Sequence, residues 1–175
     1  FENEFRMSQD FYLGNPNLKK VGTEIQFTKE QIQEYLKCKE DPVYFAMTYI
    51  KIISLDEGIV PFKMWDFQQE LIESFHENRF NIAKLPRQTG KSTTCVSYLL
   101  HYILFNDNVN VGILANKLST ARDLLGRLQL AYEQLPMWLQ QGIVVYNKGS
   151  MELENGSKIL AASTSASAVR GMSFN

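Results

Sequence analysis

One stretch constrains this 175-residue chain more than any other: Leu85-Pro86-Arg87-Gln88-Thr89-Gly90-Lys91-Ser92. It follows Phe80–Leu85, which reads as a short strand, and leads into Lys91–Phe105, a run rich in Val, Tyr and Leu that reads as a helix. Strand, tight loop with Gly-Lys-Ser, then helix is the context a phosphate-binding loop requires. Gly90 lets the backbone turn sharply, so that consecutive amides and the positive end of the helix face an anion. Lys91 is placed to neutralise β- and γ-phosphates, and Ser92 to coordinate Mg²⁺ through its hydroxyl. The usual G-x-x-x-x-G-K-[ST] pattern is broken at its first glycine, where Leu85 stands. A bare Gly-Lys-Ser is common by chance, so the flanking strand and helix, with Pro86, Arg87 and Gln88, carry the reading. The ligands expected are ATP and Mg²⁺. The cradle comprises Pro86, Arg87, Gln88, Thr89, Gly90, Lys91, Ser92 and Thr93, with Ser92 as the metal ligand.

Arg87 is unusual because Lys91 already supplies the loop with a cation. A second cation suits charge developing on a γ-phosphate, as an arginine finger supplied in cis does. The other reading is a surface arginine paired with a nearby carboxylate.

Around this loop the pattern is α/β. Thr28 with Gln31 reads as a capping box opening a helix to about Lys39. Asp41-Pro42 opens a second helix carrying Phe45, Tyr49 and Ile50, since Asp caps and Pro fits the first helical position. Ile52–Phe62 reads as an extended segment turning at Asp56-Glu57-Gly58, after which Asp66 is expected to cap a helix with Phe67, Leu71, Ile72 and Phe75 inward. Val109–Ala115 is a nearly continuous apolar run, as for a parallel strand covered on both faces. Ser119–Gln134 is amphipathic, with Leu124, Leu125, Leu128 and Ala131 inward. Short strands follow Pro136, separated by turns at Asn147-Lys148-Gly149 and Asn155-Gly156, the latter a strong hairpin signal. Residues 163–173 are small and polar and read as a loop. Alternating strand and helix implies a parallel sheet. The fold expected is therefore a phosphate-loop nucleotidase core with a parallel sheet of the additional-strand type, incomplete, preceded by an N-terminal helical segment. Residues 1–40 are expected to be peripheral and 41–175 to form the partial core.

Composition adds little. Hydrophobic residues make up 45% and charged residues 21%, ordinary for a folded domain rather than a disordered one. The formal net charge of −1 neither advertises nor excludes nucleic-acid binding. Cys38 and Cys95 are the only cysteines, too few for a zinc site and consistent with a reducing compartment. His76 and His101 read as ordinary helical histidines, and Lys148, Lys158 and Arg170 as a modest basic edge or a solvated surface. The longest apolar stretch, Val96–Phe105, is too short to span a bilayer, so no membrane partner is expected.

Pro86-Arg87-Gln88-Thr89-Gly90-Lys91-Ser92 resembles the deviant Walker A motif of large terminase subunits, the DNA-packaging ATPases of tailed phages. Other stretches agree in order and spacing: Asp41-Pro42-Val43-Tyr44-Phe45, Trp65-Asp66-Phe67-Gln68, Val111–Lys117, Gly142-Ile143-Val144 with Asn147-Lys148-Gly149-Ser150, and Ala168-Val169-Arg170-Gly171. The resemblance spans about residues 41–174 and is closest to terminases of T4-like myoviruses. It implies a motor subunit that binds and hydrolyses ATP to move double-stranded DNA into a capsid. The partners implied are the portal protein, the small terminase subunit and further copies of itself in a ring. It implies residence in the host cytoplasm, transiently on the procapsid. The family's P-loop arginine acts as a cis finger, a role that falls on Arg87, and Lys91 and Ser92 inherit phosphate and Mg²⁺ binding. The family's adenine-reading glutamine falls on Gln68; Gln69 could substitute, and a solvent-facing helical glutamine is the plain alternative. A superfamily-two helicase or restriction-type translocase also places a glutamine before its loop, but usually has Gly or Ala-Thr-Gly before Lys-Thr. A nucleotide-binding regulatory module without turnover is the other alternative.

Ile52-Ile53-Ser54-Leu55-Asp56-Glu57 imitates the acidic Walker B strand, but it precedes the loop, whereas in this class the acid strand follows it. In terminases that strand comes shortly after the Arg-Gly that Arg170-Gly171 resembles, so the catalytic acid, coupling motif and nuclease domain are expected beyond Asn175. Phe1 in place of Met likewise suggests sequence before it. A chain with the cradle but not the acid is expected to self-associate and to bind nucleotide weakly without turnover.

Overall fold

The computed structural model describes residues 10–54, 56–164 and 173–174. Helix α1 (Lys29–Glu40) opens on the capping box: the Thr28 hydroxyl accepts from the Gln31 amide, and the Gln31 side chain accepts from the Thr28 amide. Two donors that a helix end orphans are thereby satisfied. Asp41 accepts from the Tyr44 amide at 2.8 Å to open α2 (Pro42–Tyr49). Strands β1 (Lys51–Ser54) and β2 (Gly58–Pro61) then form a separate antiparallel hairpin. Asp56 and Glu57 occupy its turn, so the Walker B look-alike is a hairpin outside the main sheet. Helix α3 (Asp66–Glu77) departs from expectation at its start, because Trp65 and not Asp66 is the N-cap. The Gln68 side chain accepts the Trp65 amide at 3.0 Å, which leaves Asp66 in the first turn, where its charge suits the helix dipole.

Helix α4 (Lys91–Phe105), strand β3 (Asn110–Ala115) and helix α5 (Leu118–Glu133) follow with the bounds the sequence indicates to within a residue. After a 3-10 turn at Met137–Leu139 come β4 (Ile143–Tyr146), β5 (Ser150–Leu153) and β6 (Lys158–Ser163). The sheet order is β3-β6-β5-β4. β3 and β6 are parallel, from Asn110 opposite Lys158 to Ala115 opposite Ser163, whereas β5 runs antiparallel to both of its neighbours. The sheet is therefore mixed, not the parallel sheet expected. The reason is local: the Asn155-Gly156 turn, with Gly156 at φ 79°, returns β5 straight onto β6, and a tight hairpin can only pair antiparallel.

The strand expected at Phe80–Leu85 is also not formed; these residues carry no strand pairing, and Ile82 is 100% exposed. A strand exists only where a neighbour takes its backbone groups. Here β3 stands at the sheet margin and pairs with β6 alone among the described strands.

Helix α5 covers β3 and β6, delivering Leu125, Leu128 and Tyr132 to a core shared with Val111, Ile113 and Ile159. Helix α4 packs between α5 and α3, and α2 adds Phe45 and Ala46. His101 sits edge-on to Phe45 with its Nε2 donating to the Cys38 carbonyl at 2.9 Å, a core histidine as expected. Burial is the main cause that lowers its pKa from 6.5 to about 4, and nearby His76 lowers it further.

The N-terminal residues are less peripheral than their sequence suggests. Leu18, Lys19 and Cys38 are buried, and the Lys19 carbonyl accepts from the Ile143 amide at 2.8 Å. Glu154 accepts from the Gly142 amide at 2.7 Å, the Gly22 amide at 3.1 Å and Lys19 Nζ at 3.4 Å. Buried Gln140 donates to the Asn17 and Leu135 carbonyls and accepts from the Lys19 amide. One carboxylate and one amide thus strap residues 17–22 to the far end of the sheet. Residue 40 marks no break in packing, since α1 contacts α2 directly.

Candidate functional site

The loop that the sequence singles out is folded around its lysine. Lys91 Nζ donates to the Pro86 carbonyl at 2.7 Å and the Leu85 carbonyl at 3.0 Å, bending the ammonium back over the loop. Thr89 Oγ1 donates to the same Pro86 carbonyl at 3.0 Å. Gln88 and Gly90 take left-handed φ values of 63° and 74°. For Gly90 that conformation is free, whereas for Gln88 it costs about 1–2 kcal/mol, a strain characteristic of loops shaped for a ligand. Gly90 is the N-cap of α4 and supplies no side-chain cap. The first amides of a 15-residue helix therefore face the loop without a side-chain cap among the described residues, which is the arrangement that receives an anion. Below the helix start, the Thr94 hydroxyl donates to the Gly90 carbonyl at 3.2 Å and the Ser97 hydroxyl to the Thr93 carbonyl at 2.8 Å.

Each expected cradle residue lies on this turn. Pro86 offers its carbonyl, Arg87 and Gln88 are exposed at the apex, and Thr89, Gly90, Lys91, Ser92 and Thr93 are half-buried where loop becomes helix. Among the described residues Arg87 forms no ion pair, so the reading of a surface arginine held by a carboxylate finds no partner there. Gln68 is brought to the loop from α3, where it is 5% exposed and donates through Nε2 to the Thr89 carbonyl at 3.1 Å. Gln69 is half-buried beside it.

Two contributors were not legible in the sequence: the Leu85 carbonyl, which accepts from Lys91, and the Trp65 amide, which anchors Gln68. Both are backbone groups, which no residue pattern announces. Of the candidate basic edge, Lys158 is paired with Glu152 at 2.9 Å, and Arg170 lies outside the described residues. No group of three or more His, Cys, Asp or Glu side chains suited to a metal occurs among the described residues.

Two cavities flank α4. One, of about 220 Å³, lies between Leu71, Ala83, Ser92, Ile113 and Leu124. The other, of about 350 Å³, opens on the opposite side between Ile52, Thr93 and Arg127. Val96 of α4 lines both.

Residues 82–175, more than half of the chain, match the family described as terminase large subunit, T4likevirus-type, N-terminal. The match begins just before the loop and runs through the whole of α4, β3, α5 and the mixed sheet. The chain belongs to the large terminase family of T4-like viruses. Terminases are DNA-packaging proteins, so the family places this chain in viral DNA packaging. The terminase match covers the Pro86–Ser92 turn but begins after α3, so Gln68 is tied to the turn by this structure's own hydrogen bond, not by the matched region. Among the described residues no helix of this terminase chain is long and apolar enough to cross a membrane.

Proposed function

We propose that this chain is the nucleotide-binding portion of an ATP-hydrolysing motor subunit that drives double-stranded DNA into a capsid. The observation that carries the reading is the turn at Pro86–Ser92. It combines an uncapped helix N-terminus behind Gly90 with an ammonium, that of Lys91, held over the loop by two neutral carbonyls among the described residues. The triphosphate of ATP fits this cradle because it is an anion that exchanges those carbonyls for phosphate oxygens. Ser92, on the first turn of α4, would hold Mg²⁺, which would supply positive charge to the phosphates. Arg87, at the exposed apex, is free to reach a γ-phosphate and serve as a finger in cis. The portal protein, the small terminase subunit and further copies in a ring are the partners such a motor requires, with assembly in the host cytoplasm.

Ligand at ~100 times its dissociation constant stabilises a protein by about 2.7 kcal/mol, which for a domain of this size is roughly 5–10 °C in Tm. ATP with Mg²⁺ should produce such a shift, and Lys91→Ala should abolish it. The variant's own apo Tm should drop by no more than a few degrees, since only two partly solvated carbonyl contacts are lost. A shift that survives Lys91→Ala overturns the assignment.

A further inference from the structure

Gln68 reaches into the loop from outside it, and both ends of its amide are committed to backbone. Oε1 accepts from the Trp65 amide at 3.0 Å and Nε2 donates to the Thr89 carbonyl at 3.1 Å. The orientation is forced, because turning the amide over would set nitrogen against an N–H donor and oxygen against a carbonyl. Gln68 is 5% exposed, so its amide is largely withdrawn from water even though its two partners are not. It also lies so close to the loop that a Cβ on Gly90 would fall 2.5 Å from Nε2. Gln68 therefore fills the space that only a glycine leaves at the helix start, and ties the N-cap of α3 to the peptide immediately before it.

We propose that Gln68 is a positioning residue for the phosphate loop, acting on the triphosphate through Thr89 and Gly90 and not on the base of the nucleotide. The inference rests on the phosphate-site reading above. Thr89 and Gly90 lie between the finger candidate Arg87 and the phosphate lysine Lys91. Holding the Thr89 carbonyl outward fixes the peptide that sets where the following amides point. To meet a base edge the amide would first have to break its bond to Thr89 or to Trp65. The tether is thus a link between α3 and the loop: a movement of α3 relative to α4 would be transmitted to the phosphates. Its energetic effect is common to every ligand with a polyphosphate, whatever the base.

The test uses inorganic tripolyphosphate, which has the phosphates and no base, beside ATP and GTP, each with Mg²⁺. Gln68→Met keeps the side-chain volume, adds no charge and removes both hydrogen bonds. Affinities for ATP, GTP and tripolyphosphate should fall together by about tenfold, with the ATP-to-GTP ratio unchanged. Loss of ATP preference with tripolyphosphate binding intact makes Gln68 a base reader and overturns the proposal. Unchanged affinities for all three overturn it as well. A parent protein whose tripolyphosphate binding ignores Lys91→Ala instead sinks the phosphate-site reading and the tether with it.

Should Gln68→Met not fold, Gln68→Glu keeps the acceptor for Trp65 and loses the donor to Thr89. Amide hydrogen exchange without ligand should then quicken across residues 86–92 and stay unchanged across 66–72. Loop protection equal to that of the parent protein refutes the tether.

Discussion

Replacing Gly90 with alanine sets two physical penalties against each other at one atom. The first is conformational: φ at this residue is 74°, and an L side chain in the left-handed region costs about 1–2 kcal/mol. The second is steric, because the new Cβ would stand 2.5 Å from Gln68 Nε2, too close for the amide to stay where it is. If Gln68 withdraws, its bonds to the Trp65 amide and the Thr89 carbonyl are lost, at roughly 1 kcal/mol each. Gly90→Ala should therefore cost about 3–4 kcal/mol, and Gln68→Ala about 2 kcal/mol. In the double variant the hydrogen bonds are already gone and the space is already open, so only the conformational term is added. The expected total is again about 3–4 kcal/mol, against the 5–6 kcal/mol that independent sites would give, a coupling of about 2 kcal/mol. Urea unfolding followed by far-UV circular dichroism measures all four corners of the cycle. Additive costs would refute the reasoning, because they would mean that residue 90 and Gln68 do not share space.

Arg87→Ala should leave fold stability within about 0.5 kcal/mol, as expected for an exposed side chain without an ion pair among the described residues. In the packaging motor it should lower turnover by about 1000-fold or more while ATP affinity changes little; equal losses in both would make it a ground-state phosphate ligand. His101 makes stability fall on the acid side. Its folded pKa of about 4 lies below the ordinary 6.5, so the unfolded chain binds the extra proton first. Its contribution is complete above pH 6.5 and drains away as pH falls toward 4, with about 2 kcal/mol lost by pH 5. Urea midpoints measured between pH 7.5 and 4.5 should show this slope, and His101→Gln should flatten it; a slope that persists would assign it to other groups, such as Glu154, whose pKa is also lowered.

How far the sequence reached depended on whether a signal was local. The caps at Thr28 and Asp41, the extents of α4 and α5, the Asp56-Glu57-Gly58 turn and the Asn155-Gly156 hairpin all follow from residues within a few positions of one another, and each stands where the pattern puts it. The left-handed turn at Gly90 running straight into α4 was legible for the same reason, since glycine and the helix start are adjacent in the chain. What required the tertiary structure was every question of partnership. Phe80–Leu85 has the length of a strand, but strand identity belongs to a pair, and no described strand pairs with its backbone. The sheet's direction was decided by which strand β6 lies beside, and residues 17–22 proved integral because Glu154 and Gln140 reach them across more than 100 positions. Gln68 is the sharpest case. The family resemblance implied an adenine reader there, and only the tertiary structure shows its amide bonded to Trp65 and Thr89, because a buried amide bonds to whatever backbone groups folding places around it.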